Sequence, residues 1–129
     1  MERIIEKRLE EQRRVIEEVR KFASCVKKVF GEVTVILFGS YARGDFNEWS
    51  DVDVLVVTRE RTVPKNPLER LNAIEKCLLE YALIEPVILT GEEFATLMRK
   101  RNPVAEDVAR HGIVLVDDLN IKKLLEKCV

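Results

Sequence analysis

A mixed β-sheet of about four strands flanked by helices is the fold class that this sequence predicts, an α+β domain with α/β character. Three observations predict it. Four short apolar runs rich in β-branched residues lie at 33–38, 52–57, 84–89 and 113–116. Segments of helical apolar spacing separate them. Helix-start signatures stand at Asn66-Pro67, Thr90–Glu93 and Asn102-Pro103. Strands and helices that each bury one face stack into such layers.

Residues 2–30 carry Ile5, Leu9, Ile16, Val19, Phe22, Ala23, Val26 and Phe30 near helical spacing, which gives a long amphipathic helix ended by Gly31. Its first two turns are weakly apolar and project beyond the core. Val33 to Phe38 reads as a buried strand, and Gly39-Ser40 opens a turn or short helix with Ser40 as its cap. Residues 45–50 form a polar loop around Phe46 and Trp49, both better placed in the core than on a base. Val52 to Val57 is the second buried strand.

A helix capped by Asn66 runs from Pro67 to about Ala82, with Leu71, Ile74, Leu78 and Tyr81 inward. Ile84 to Leu89 is a third strand, and Pro86, which cannot donate to a ladder, places it at an edge or a bulge. Thr90 and Glu93 form a capping box for a short helix through Met98. A helix from Asn102 stops at Gly112, a fourth strand covers 113–116, and residues 118–128 close the chain as a helix. The apolar stripe of that last helix suits core packing, a homodimer or a partner interface.

With 129 residues and 47% hydrophobic content, the chain (1–129) suits one globular domain with a single core. No apolar run is long enough to cross a bilayer, and no signal peptide is evident, so a cytoplasmic location is expected. Twenty-two basic and 23 acidic residues nearly cancel, which argues against a general nucleic-acid binder. Dense mixed charge with few glycines is compatible with a heat-adapted source. Cys25, Cys77 and Cys128 lack metal-type spacing and read as reduced, mostly apolar positions.

One stretch carries the chemistry. Gly39-Ser40 ends an apolar strand, and ten residues beyond Ser40 stands Ser50, followed by Asp51-Val52-Asp53 at the head of the next strand. Alternation puts Asp51 and Asp53 on one side. Two such carboxylates at a buried edge repel each other and call for a cation. Facing a backbone turn that can hold phosphate, they form what a magnesium–nucleotide site requires.

This pattern resembles the nucleotidyltransferases of the DNA polymerase beta superfamily, and within it the minimal nucleotidyltransferases paired with HEPN-domain proteins in toxin–antitoxin modules. Gly39, Ser40, Arg43, Gly44, Ser50, Asp51 and Asp53 carry the resemblance, with the run Asn102 to Leu115; it spans roughly residues 15 to 116. It implies the polymerase-beta-type fold and a metal-dependent transfer of a nucleoside monophosphate, AMP from ATP, to a hydroxyl. Asp51 and Asp53 would hold two Mg²⁺ ions, or Mn²⁺, while Gly39, Ser40 and Arg43 meet the triphosphate. A third carboxylate, for which Glu85 is the candidate, would share the metal and help deprotonate the acceptor. The alternative for Glu85 is a strand-start glutamate pointing into water. For Arg43 it is pairing with an acid to fix the loop.

The small size leads to the expectation that the acceptor arrives on another macromolecule, and the resemblance implies a tyrosine of a HEPN-type toxin. The competing expectation is an antitoxin that neutralises its partner by contact, with a weak or vestigial nucleotide site.

Overall fold

The computed structural model describes residues 2–61 and 63–127, with the side chains of Glu2 and Lys127 left aside. In chain order the elements are α1 (Glu2–Phe30), β1 (Val33–Phe38), α2 (Ser40–Arg43), β2 (Val52–Thr58), α3 (Pro67–Ala73) and α4 (Glu75–Glu80). β3 (Ile84–Thr90), α5 (Gly91–Arg99), α6 (Pro103–His111), β4 (Ile113–Asp117) and α7 (Ile121–Lys127) follow. The four strands form one mixed sheet in the order β3-β2-β1-β4. β1 is antiparallel to both β2 and β4, whereas β3 runs parallel to β2.

All of β1 is buried, and so is β2 apart from Asp53, which is half-buried, so the two central strands form the inner wall of both layers. On one face, Val35, Leu37, Val54 and Val56 pack against Val19, Phe22, Val26 and Phe30 of α1 and against Ile74. On the other, Ile36, Phe38, Leu55 and Val57 meet Phe94 of α5, Ala105 and Val108 of α6, and Ile121 and Leu125 of α7. Gly112 lets the end of α6 come down onto β1, since a Cβ there would stand 2.8 Å from Ile36. The open end of α1 exposes Ile4, Ile5 and Leu9, as its thin apolar stripe predicts. Pro86 lies in β3, an edge strand, where its missing N–H costs no ladder bond.

Three local expectations need correction. The helix predicted from 67 to about 82 breaks at Ile74, whose backbone (φ −112°, ψ 26°) ends α3. The break turns Ile74 and Cys77 inward together. Ser40 is not the cap of α2: Gly39 takes that place without a side-chain bond. The last helix begins at Ile121 rather than 118, because the Asp117 carboxylate accepts the N–H groups of Ile121 and Lys122. By contrast, Asn66 and Asn102 cap α3 and α6, and the Thr90–Glu93 capping box forms as predicted.

Cys25 and Cys77 are not reduced. The break before α4 brings Cys77 against α1, and the two sulfurs form a disulfide across a separation of 52 residues. Cys128 lies outside the described residues. Disulfides persist in oxidising compartments and in intracellular proteins of hyperthermophiles. Closing a loop across 52 residues restricts the unfolded chain by about 4 kcal/mol in the entropic account. Thermal melts with and without a thiol reductant should therefore differ, the reduced protein melting several degrees lower; coincident melts would show that the bond contributes nothing.

Candidate active site

The candidate residues meet where β1 ends and β2 and β3 begin. Asp53 is paired across the antiparallel ladder with Phe38, the residue before Gly39. Across the parallel ladder it is in register with Glu85. Registered residues on neighbouring strands project to the same face, so Asp53 and Glu85 stand side by side. Asp51, two residues earlier, shares that face. It is the face covered by α5, α6 and α7, because Asp53 alternates in phase with Leu55 and Val57.

Charge crowding follows from this row. The Asp53 carboxyl titrates above the ordinary aspartate range, first because it is partly buried and then because Glu85, Asp51 and Asp107 surround it; the Arg43 guanidinium opposes them more weakly. Asp51 and Glu85 are exposed. The expectation of a pair at a buried edge thus holds for Asp53 alone. Asp51 precedes the first ladder residue of β2, where no neighbouring strand covers it.

Gly39 faces the row directly. Its backbone (φ 76°, ψ −157°) lies in a region that only glycine occupies readily. A Cβ at this position would overlap the Asp53 Oδ2 and fall 3.1 Å from its Cγ. The carbonyl of Gly39 accepts the N–H groups of Ala42 and Arg43, which closes the short α2 turn. Arg43 pairs with Asp45 at 3.2 Å and with Asp107 at 3.1 Å, so the pairing role expected for it is present. Asp107 also accepts the Gly39 N–H at 2.9 Å.

Asp107 was not singled out in the sequence. The available signal was its place between Ala105 and Val108, the buried positions of α6, where an acid facing the sheet needs a partner.

The loop after α2 is held from outside the sheet. Arg8 donates to the carbonyls of Gly44 and Phe46, and Gln12 to that of Tyr41. Phe46 is buried in a stack on Tyr41 with ring centroids 4.3 Å apart, as core packing predicts. Trp49 departs from that expectation and is 84% exposed. Its backbone N–H donates to the Asn47 side-chain oxygen, and the Ser50 hydroxyl accepts the Asn47 backbone N–H, so a tight turn presents the indole to solvent. Ser50 acts as a loop brace.

The model of the family described as nucleotidyltransferase domain matches residues 19–114, a span that holds the whole row, the Gly39 turn and Asp107. This chain belongs to the nucleotidyltransferase domain family. Among its relatives, the Methanocaldococcus jannaschii protein MJ1305, a candidate protein adenylyltransferase, is 32% identical over 115 residues, covering 83% of this chain and 76% of that protein. MJ0141 of the same organism, described likewise, is 38% identical over 77 residues, covering 57% and 78%.

Two solved structures share the nucleotidyltransferase fold. A candidate nucleotidyltransferase from Sulfolobus solfataricus superposes with a TM-score of 0.61 at 21% identity, covering 83% of this chain and 84% of its own. A toxin–antitoxin crystallised with AMP-PNP gives 0.57 at 20% identity, covering 84% and 81%.

The donors of this candidate site would suit a hard divalent cation. They are carboxylate oxygens, and partial burial together with the neighbouring acids raises the Asp53 pKa. Among the described residues, no three potential ligands close on a single point. Mg²⁺ does not demand such a cage: it is ordinarily held by one or two carboxylates, with water and substrate phosphates completing its shell. Asp51 and Asp53 fit that requirement, and Glu85 stands beside them in register. Also among the described residues, no helix is long and apolar enough to cross a membrane.

Proposed function

We propose that this nucleotidyltransferase moves AMP from ATP to a hydroxyl on a partner macromolecule. The observation that carries the reading is Asp53 flanked by Glu85 and Asp51 and packed against a glycine turn. The hydroxyl oxygen attacks the α-phosphorus, the bond from that phosphorus to the β-phosphate oxygen breaks, and pyrophosphate leaves. Ions bound at Asp51 and Asp53, Mg²⁺ or Mn²⁺, would supply charge neutralisation for the entering and leaving oxygens. Gly39, lacking a side chain, lets the backbone approach the phosphates, Ser40 offers them its N–H and hydroxyl, and Arg43 offers its guanidinium. Glu85, exposed at the head of β3, would take the hydroxyl proton.

The partner we propose is a HEPN-type toxin whose tyrosine is modified and whose activity is thereby silenced, with the chain acting as a cytoplasmic antitoxin. The family resemblance of the Gly39–Asp53 motif supports it, and so does the fold shared with a toxin–antitoxin crystallised with AMP-PNP. Incubation with α-labelled ATP, Mg²⁺ and the native partner should label that partner. No label with any divalent metal or nucleotide would overturn the proposal.

A second reading has its own observation. The exposure of Asp51 and Glu85 favours a binding module that neutralises its partner by contact, with weak nucleotide binding. The double substitution Asp51→Asn and Asp53→Asn separates the two. Neutralisation that survives it supports contact, whereas neutralisation lost with association intact supports transfer.

A further inference from the structure

We propose that Asp107 is a positioning residue for nucleotide binding, acting through both ends of the phosphate-facing turn. The proposal rests on the reading of the row as a nucleotidyl-transfer site. One Asp107 oxygen accepts the Gly39 N–H at 2.9 Å, and both oxygens accept from Arg43 Nη1 at 3.1 Å. The first residue of the turn and its last are thus fastened to a single carboxylate. That carboxylate is only 21% exposed, and its helix is anchored by Ala105 and Val108, each 1% exposed.

Gly39 is therefore held between two acids. Asp53 packs against its Cα side, while Asp107 takes its N–H on the side of α6. With φ at 76°, in a region where glycine has wide freedom, the turn has little of its own to fix this geometry. Asp107 supplies that restraint. It also draws Arg43 back toward the sheet; without it the guanidinium would keep only Asp45, which is 63% exposed and on the same loop. An exposed pair of that kind is worth little. A group that positions a phosphate ligand in advance lowers the ordering cost of binding.

The test uses the full chain, Mg–ATP and the native partner. Asp107→Ala should raise the Kd for Mg–ATP and the KM for AMP transfer roughly tenfold, the low end for a residue that orients a ligand through another. kcat should stay nearly unchanged. Asp107→Asn, which keeps an acceptor for the Gly39 N–H, should recover part of the loss, and it carries the test should the alanine variant fail to fold. In an Arg43→Ala background the same alanine substitution should cost much less, because one of its two partners is already gone.

Unchanged or tighter Mg–ATP binding by a normally melting Asp107 variant would overturn the proposal, tighter binding marking Asp107 as a competitor of the phosphates. A wild-type chain that binds no Mg–ATP would overturn the site reading and this proposal together. Normal wild-type binding beside an unaffected variant would overturn this proposal alone.

Discussion

AMP transfer by the Asp51→Asn, Asp53→Asn protein should fall by at least about 10³-fold, the equivalent of roughly 4 kcal/mol of lost charge stabilisation in the transition state. The same variant should melt at a higher temperature than the wild type at neutral pH. Asp53 titrates above the ordinary aspartate range, so the folded protein holds that proton more tightly than the unfolded chain does. Stability from this group is therefore greatest in acid and falls as pH rises from the ordinary aspartate value through the raised one. At neutral pH the whole penalty is present, and asparagine removes it. Radiolabel transfer and thermal melts at neutral and acid pH check both halves. A variant that is inactive and also less stable at neutral pH would show that Asp53 is structurally supported rather than crowded.

Gly39→Ala should be strongly damaging to both stability and transfer. The backbone at φ 76°, ψ −157° costs a non-glycine residue of order 1–3 kcal/mol. The added methyl also overlaps the Asp53 carboxylate, so either the turn or the aspartate must move. Displacing a reacting group by about 1 Å costs about 10²-fold in rate. The expected result is a lower melting temperature together with at least that loss of transfer. Gly44→Ala is the control: its φ of 91° also strains a side chain, but a Cβ there meets nothing within 4 Å. Stability should fall in both variants, and transfer should collapse only in the first. Equal activities in the two would remove the contact between turn and carboxylate from the argument.

The central strands were legible in the sequence because burial on both faces leaves an unmistakable apolar run, as in β1 and β2. The caps at Asn66, Thr90 and Asn102 were legible because each rests on a bond within a few residues. What escaped was set by contacts far along the chain. Nothing local announces that Cys77 meets Cys25, since that depends on how the break at Ile74 aims α4. Trp49 was misplaced because composition cannot tell an indole packed under a loop from one displayed by a tight turn. Asp107 escaped for the same reason, its partners lying 64 and 68 residues earlier. Asp51, Asp53 and Gly39 were legible as a motif, and the register that puts Glu85 beside Asp53 emerged only with the sheet.

The two neighbours of Asp53 reach it by routes of unequal length. Gly39 comes through a short antiparallel return, whereas Glu85 comes through the long parallel crossover of residues 59–83. That excursion is secured by a sulfur staple and by the buried Arg70, which grips the carbonyls of Pro64 and Ile88 and the Glu93 carboxylate. On the proposed reading, loosening the excursion would draw Glu85 away from Asp53 while leaving the turn in place, so a chemically reduced molecule would still bind nucleotide after its transfer of the nucleotidyl group had weakened.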